Sequence, residues 1–191
     1  MPKFNIAILT GTRRTGNLSS RVVQYVERRL AAMPDIETNL LDLSAYNFPI
    51  LEERLGHSDA PPSGLQEFSD RLHAADALII VCPEYKNGVP GGLKNALDYL
   101  AAGHFRYKPV GICSVTSGPY GGMHCLDQLR LICISLAAVV IPERFPVSHV
   151  GQAFDEAGKP ADAGRTDERF DRFWKDLLWH TEATTERRKR G

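Results

Sequence analysis

The feature that most constrains this fold is the alternation of short, almost wholly apolar segments with amphipathic ones. Residues 4–10, 76–82 and 109–116 have the length and β-branched content of strands, and weaker candidates lie at 36–43 and 138–143. The apolar runs are nearly continuous, so both faces of each strand should be covered. Such coverage is typical of a parallel sheet flanked by helices.

The segments between these strands have helical periodicity. After Gly16, apolar residues recur every three or four positions, with arginines between them. A final amphipathic helix is predicted at about 167–182, followed by a basic tail, 186–191, expected to be frayed and solvated. The segment 146–166 is predicted to be loop-like. The alternating order predicts an α/β domain with a five-stranded parallel sheet in the order 2-1-3-4-5 and helices on both faces.

Composition and charge exclude several classes of function. The 191 residues carry 23 basic and 23 acidic side chains, so no overall field favours nucleic acid or an anionic membrane. No run approaches the ~20 apolar residues of a membrane helix. The four cysteines form no CxxC pair, which argues against zinc, iron–sulfur and thioredoxin chemistry. The N-terminal residues resemble a first strand rather than a secretion signal, so reduced thiols in a cytoplasm are expected. No linker divides the chain, so one domain spanning 1–191 is expected.

The turn after the first strand, TGTRRTGNLSS, has the composition of a phosphate site. It offers hydroxyls, an amide, two arginines and the free N–H groups of a helix start. Asn17 and Leu18 replace the Lys and Ser/Thr of a Walker A loop, and GxGxxG is absent, so a single phosphate monoester fits best. A capped helix with solvent-facing arginines remains an alternative.

Two further turns, PEYKNGVPGG after the third strand and TSGPYGG after the fourth, are rich in Gly and Pro. Backbone N–H groups in such turns can point at a flat heterocycle, with Tyr85 packed beside it. A tight connection between strand and helix is the alternative for the second turn. Ligands of open parallel sheets collect at the carboxyl ends of the strands, so the three turns are predicted to form one crevice.

Together, TGTRRTGNLSS, PEYKNGVPGGLKNALDYL and SVTSGPYGGMHCLDQLR resemble the NADPH-dependent FMN reductase family of flavodoxin-like proteins, over roughly residues 3 to 142. The resemblance implies that FMN is held by three groups of residues. They are Thr12, Arg14, Asn17, Leu18 and Ser19 at the phosphate; Pro83, Glu84, Tyr85, Lys86, Asn87 and Gly88 at the ring; and Ser117, Gly118, Gly121 and Gly122 at the pyrimidine edge.

This chain departs from the family at a few of these positions. Thr12 and Asn17 stand where serines are usual, and Cys82 replaces a common threonine. The family typically has PEYNGS or PEYNxS where this chain has PEYKNG, so Lys86 and Gly88 are the larger departures. A lysine here could stabilise reduced flavin or contact the phosphates of a nicotinamide cofactor, or it could simply be solvated at the crest of the loop.

The resemblance implies an oxidoreductase in which NADPH or NADH reduces bound FMN, and the flavin then reduces a second acceptor by ping-pong kinetics. Free flavin, a quinone, an azo compound or a metal oxyanion would serve as the small-molecule acceptor. Recognition of NADPH would depend on an arginine such as Arg13 or Arg106. No catalytic acid or base and no metal is expected, and a cytoplasmic homodimer or homotetramer is predicted. A flavodoxin-like electron carrier and a flavin-free binding module are the alternative functions.

Overall fold

The computed structural model describes residues 4–190 and has at its centre a five-stranded sheet in the order β2-β1-β3-β4-β5. Every neighbouring pair of strands is parallel, which confirms the predicted architecture and strand order. The strands are β1 (Phe4–Thr10), β2 (Ile36–Leu41), β3 (Ala77–Pro83), β4 (Pro109–Val115) and β5 (Val139–Val140). The register places Thr10 beside Val81, and Val81 beside Cys113.

Six α-helices in the described part of the chain connect or flank these strands. They are α1 (Ser19–Ala31), α2 (Leu65–Ala74), α3 (Gly91–Asp98), α4 (Met123–Ser135), α5 (Val150–Ala153) and α6 (Ala163–Lys189). Short 3-10 turns lie at 43–45 and 102–104. No helix within residues 4–190 is long and apolar enough to cross a membrane.

Two apolar clusters, one on each face of the sheet, form the core. Along β1, Ala7 and Leu9 pack into the cluster that includes α2, α3 and α4, whereas Ile6 and Ile8 pack into the cluster that includes α1 and α6. Side chains alternate between the faces of a strand, so a continuous apolar run fills both layers. The predicted coverage of the sheet by helices on both faces is confirmed.

The final helix is longer than predicted at both ends. It spans Ala163–Lys189 rather than about 167–182, and most of the predicted tail continues it. Thr181 and Thr185 are buried at 0% and 1% exposure, one and two turns after Leu177. These threonines extend the buried face of the helix up to the predicted tail. Within the tail the helix continues to Lys189, and Glu186 and Arg187 are exposed whereas Arg188 is half-buried. The segment 146–166, predicted to be loop-like, contains α5 and the start of α6.

Candidate functional site

The predicted crevice exists at the carboxyl ends of β1, β3 and β4. It is a cleft with a volume of about 100 Å³, formed by the turns after all three strands. Its walls are Arg14, Asn17, Leu18, Ser19, Pro83, Glu84, Tyr85, Val115, Thr116, Ser117 and Val150. Eight of these eleven were predicted as site residues. The cleft is smaller than the ~300–1,000 Å³ of typical ligand pockets, so it encloses only part of a cofactor-sized molecule.

Asn17 shapes the turn after β1. Its Oδ1 accepts hydrogen bonds from Ser19 Oγ at 2.7 Å and from the Ser20 N–H at 3.0 Å, and its Nδ2 donates to the Arg14 carbonyl at 2.9 Å. Gly16, with φ of +66°, makes the reversal that allows these contacts. The side chain of Asn17 thus accepts from an N–H group in the first turn of α1, one residue before the position at which the helix is capped.

The same turn also presents the chemistry of an anion site. Within the described chain, the N–H groups of Leu18 and Ser19 donate to no acceptor and remain free at the start of α1. The exposed Arg14 lines the cleft beside them. A helix N-terminus together with a cationic side chain compensates the charge of a phosphate group.

Thr12 lies behind the wall of the cleft rather than on it. It is 5% exposed, and its Oγ1 lies 2.9 Å from Tyr85 Oη and accepts a hydrogen bond from the Arg14 N–H at 3.2 Å. The hydroxyl therefore holds Tyr85 and Arg14 in place.

The turn after β3 is a tight hairpin. Tyr85 and Gly88 exchange two backbone hydrogen bonds of 3.0 and 3.1 Å, and the two residues between them have φ values of +51° at Lys86 and +59° at Asn87. Positive φ at both central positions defines a type I′ turn, for which Asn-Gly is the preferred pair. Lys86 and Asn87 are exposed at the tip of this hairpin, beyond the enclosed part of the cleft.

Gln128 of α4 supports this hairpin. Its Nε2 donates to the Asn87 carbonyl at 3.0 Å, and its Oε1 accepts from the Val89 N–H at 3.3 Å. A Cβ atom on Gly88 would lie 3.1 Å from Gln128 Oε1, so this glycine gives the amide room to approach. Sequence reasoning missed Gln128 because a glutamine on a helix carries no distinctive signal.

Glu84 has a second role that the motif does not reveal. Its Oε2 accepts a hydrogen bond of 3.0 Å from the Cys125 N–H in the first turn of α4. A carboxylate is favourable at this position because the N-terminus of a helix carries partial positive charge. Beside it, the buried Sγ atoms of Cys82 and Cys125 lie 3.2 Å apart, and this hydrogen bond, followed by burial, raises the pKa of Cys82.

The residues of the turn after β4 divide into two groups. Ser117 lines the cleft, and the neighbouring Gly118 is partly exposed. Gly121 and Gly122 are instead buried outside the walls, with φ of +63° and +73°. A Cβ on Gly122 would lie 3.1 Å from the Cβ of Ser114, so close packing explains this glycine.

The structure adds three lining residues that sequence reasoning did not select: Val115, Thr116 and Val150. Val115 is the last residue of β4. Thr116 immediately follows β4, and Val150 begins α5. The Val150 N–H donates to the Thr116 carbonyl at 3.1 Å, which holds α5 against the turn after β4. Thr116 could have been found as the residue at the carboxyl end of a central strand, whereas no local signal marks Val150.

The two arginines considered for NADPH recognition lie at opposite ends of the sheet. Arg13 belongs to the turn after β1, and its Nη2 donates to Asn47 Oδ1 at 2.8 Å. Arg106 precedes β4 and lines a different cavity, at the amino ends of the strands. It is therefore in the wrong place to contact a nucleotide bound in the cleft of the same chain.

Comparisons with known proteins identify the family of this chain. The sequence profile described as NADPH-dependent FMN reductase matches residues 4–152. The chain is 32% identical over 146 residues to a quinone reductase from Escherichia coli K12, covering 73% of this chain and 74% of that protein. It is 29% identical over 157 residues to an FMN-dependent NADPH-azoreductase from Staphylococcus aureus USA300, covering 79% and 80%.

Among solved structures, FerB, a flavoenzyme NAD(P)H:(acceptor) oxidoreductase from Paracoccus denitrificans, superposes with a TM-score of 0.76. The match covers 94% of this chain and 98% of that chain at 22% identity, so it shows the shared fold. The family profile spans more than half of the chain and includes all three turns of the cleft. The chain belongs to the NADPH-dependent FMN reductase family.

Proposed function

We propose that this protein is an FMN-dependent NAD(P)H oxidoreductase that reduces a small-molecule acceptor. The observation that carries the proposal is the single cleft formed by the turns after β1, β3 and β4 in a chain of this family. When bound, FMN supplies the redox chemistry by accepting a hydride and passing two electrons on. The protein binds, orients and shields it.

The turn after β1 fits the phosphate of FMN. The free N–H groups of Leu18 and Ser19 and the Arg14 guanidinium all belong to this turn, whereas the Ser19 hydroxyl already donates to Asn17 Oδ1. Thr12 and Asn17 act indirectly, because their polar atoms bond Tyr85, Arg14 and the start of α1. We therefore assign the phosphate contacts to Arg14, Leu18 and Ser19, and a positioning role to Thr12 and Asn17.

The hairpin after β3 and the turn after β4 fit the remainder of the cofactor. Pro83, Glu84 and Tyr85 form one wall and Ser117 the other. Lys86 and Asn87 form an exposed tip, with Gly88 beside it, that extends this wall beyond the enclosed volume of the cleft. The flavin ring is too large for that volume, so the part that projects from the cleft could contact this tip. Gly118, Gly121 and Gly122 support the opposite wall by fixing the path of the chain between β4 and α4.

Reductant and acceptor are proposed to use the same open mouth in turn. The enclosed volume is small, so two substrates would compete for the exposed side of the flavin, and ping-pong kinetics follow. The related proteins named as quinone reductase and azoreductase support quinones and azo compounds as the acceptor class. Arg13, in the turn after β1, is the candidate for recognising the 2′-phosphate of NADPH.

We also propose that copies of this chain associate through α4 in the cytoplasm. Leu131 and Ile134 are 69% and 59% exposed and lie one helical turn apart. Burying them against a second copy would remove this apolar surface from water, in a dimer or tetramer. All four cysteines are buried free thiols, which suits a reducing compartment. A Leu131→Glu change should shift sedimentation towards monomer, and unchanged assembly would argue against this interface.

Flavin binding and reduction test the main proposal directly. The purified chain is mixed with FMN, freed of excess and examined by absorption, then treated anaerobically with NADPH or NADH and finally with a quinone or an azo dye. We expect retained FMN, bleaching by a nucleotide, and recovery of colour on adding the acceptor. Failure to retain FMN would contradict the proposal, and retained FMN that neither nucleotide bleaches would favour an electron carrier.

A matched pair of charge changes tests the phosphate assignment. Arg14→Gln should weaken FMN binding about tenfold, since a hydrogen bond to a charged group is worth about 1.5–3 kcal/mol. Arg106→Gln removes the same charge at the other end of the sheet and should leave FMN affinity unchanged. If the two changes lowered FMN affinity equally, Arg14 would contribute only to the overall electrostatic field of the protein and not through a direct contact.

A further inference from the structure

A second and larger cavity lies at the amino ends of β3 and β4, at the opposite end of the sheet from the cleft. Its volume is about 830 Å³, within the range of roughly 300–1,000 Å³ typical of small-molecule sites. The turn before β3, the segment before β4 and the last turns of α6 form its walls. We call it the basal cavity. The proposed flavin chemistry makes no use of it.

The walls of the basal cavity carry an excess of positive charge. Four cationic side chains line it: Arg106, Lys108, Arg187 and Arg188. Asp76 is the one carboxylate among the lining residues, and it is already engaged. Its Oδ2 accepts from the Asn5 N–H at 2.9 Å, and its Oδ1 lies 3.8 Å from Arg188 Nη2. The net charge of the whole chain is zero, so this excess is a local property of the cavity walls.

Lys108 is the most deeply placed of these cations. It is 2% exposed, and its Nζ donates to the Leu72 carbonyl and, at 3.2 Å, to the His73 carbonyl at the end of α2. In its protonated form the amine has three protons, so one donor remains after these two bonds. No described carboxylate forms an ion pair with it. Burial, and then the nearby Arg188, lower the pKa of Lys108 to about 7 against the opposing effect of Asp76, so an anion bound in the cavity would favour its protonated form.

Arg188 also has unused hydrogen-bonding capacity. Its Nη2 donates to the Asp76 carbonyl at 2.7 Å, which attaches the end of α6 to the start of β3. Its Nε is buried and has no hydrogen-bond partner among the described residues. An unpaired buried donor costs about 1–3 kcal/mol, so an acceptor supplied by a ligand would stabilise the folded chain.

The rest of the lining is mostly small or apolar and includes Ala74, Ala75, Val139 and Ala183. An inorganic ion would use the cations but leave this surface and most of the volume unfilled. We propose that the basal cavity binds an organic anion, in which a carboxylate, phosphate or sulfonate group is joined to an apolar body. The acidic group would face Arg106, Lys108, Arg187 and Arg188, and the apolar body would cover the alanines.

The probe for this site is 1-anilinonaphthalene-8-sulfonate, an aryl sulfonate that fluoresces when shielded from water. The full chain is titrated with it in the presence and absence of FMN. Decanoate and inorganic phosphate serve as competitors, and they separate an amphipathic anion from a bare one. We expect one saturable site per chain, equal affinity with and without FMN, and displacement by decanoate at concentrations at which phosphate has no effect.

Paired charge variants locate the binding. The double change Arg106→Gln and Arg187→Gln alters exposed side chains at the mouth of the cavity and should weaken probe binding about tenfold or more. Arg54→Gln with Arg165→Gln removes the same charge from exposed positions outside the cavity and should leave binding unchanged. Circular dichroism checks that both variants fold.

Three results would overturn the proposal. They are no saturable binding by the folded wild type, equal binding by the two double variants, or loss of binding when FMN is added. The last result would place the probe in the cleft instead. The flavin experiments are read separately, so failure to bind FMN leaves the interpretation of the basal cavity unaffected.

Discussion

Thr12 Oγ1 and Tyr85 Oη lie 2.9 Å apart, so the turn after β1 is hydrogen bonded directly to the turn after β3. The two residues are far apart in the sequence but meet because β1 and β3 are neighbours in the sheet. Tyr85 lines the cleft, whereas Thr12 is buried behind it. This contact couples the proposed phosphate and ring sites through one pair of hydroxyl groups.

Removing that hydroxyl pair should weaken both the fold and the site. Tyr85→Phe deletes one hydroxyl and should lower the free energy of unfolding by about 1 kcal/mol. FMN affinity should fall about fivefold, which is the equivalent factor, because the wall at Tyr85 is no longer fixed. Denaturant unfolding and flavin fluorescence titration measure the two effects.

Thr12→Val supplies the second side of a double-mutant cycle. If the hydroxyls act on one another, the double variant should lose less stability than the sum of the two single changes. Additive losses would show that each hydroxyl acts alone.

The hairpin tip should be strained at Lys86. Its φ of +51° is disfavoured for a lysine, whereas asparagine tolerates this region. Lys86→Asn should therefore stabilise the chain by roughly 0.5–1 kcal/mol, measured by denaturant unfolding. Lys175→Asn, the same change at an exposed position within α6, should destabilise by a few tenths of a kcal/mol because asparagine is the poorer helix former. Equal effects at the two positions would contradict the strain at the hairpin.

The sheet order and the convergence of the turns could be predicted because both follow from the alternation of apolar strands and amphipathic helices along the whole chain. A continuous apolar segment such as β3, buried at every residue, needs cover on both faces. Successive parallel strands then direct their following turns to one edge. The position of Tyr85 at the cleft follows from this topology and from its place after β3.

The remaining features depend on single contacts that the sequence pattern does not encode. The end of α6 was predicted too early because Thr181 and Thr185 are polar, yet each is buried, and Thr181 Oγ1 donates to the Leu177 carbonyl at 2.7 Å. Glu84 could be placed after β3, but its bond to the Cys125 N–H requires knowledge of where α4 begins. Arg106 was considered for nucleotide recognition without knowledge of which end of the sheet it occupies.

Glu84 should prove to be structural as well as part of the cleft wall. Glu84→Ala removes the acceptor for the Cys125 N–H and should lower the free energy of unfolding by about 1 kcal/mol. Glu84→Gln keeps an oxygen acceptor but loses the charge, so its loss should be smaller. Glu156→Ala, at an exposed position, is the control and should stay within about 0.5 kcal/mol of wild type in thermal unfolding. A loss for Glu84→Ala no larger than this control would rule out a capping role.

Alkaline pH should destabilise the protein through the buried thiol of Cys133. Burial raises the pKa of Cys133 to about 12, from about 8.5 for a free thiol. The folded chain therefore holds this proton more tightly than the unfolded chain does. The corresponding stability is fully present below about pH 8.5 and is lost as pH rises from there towards 12, at up to about 1.4 kcal/mol per pH unit.

Between about pH 8.5 and 12, Cys133→Ala should make the free energy of unfolding fall less steeply with pH, by nearly the ~1.4 kcal/mol per pH unit that one proton contributes. The same change should also lower stability at neutral pH, because it leaves a cavity. Val110→Ala, in the same apolar cluster, loses buried volume without removing a titrating group, so its slope should match wild type. Denaturant unfolding at several pH values between 9 and 11 separates the two variants. Parallel slopes for Cys133→Ala and Val110→Ala would show that Cys133 ionises as readily in the folded chain as in the unfolded one.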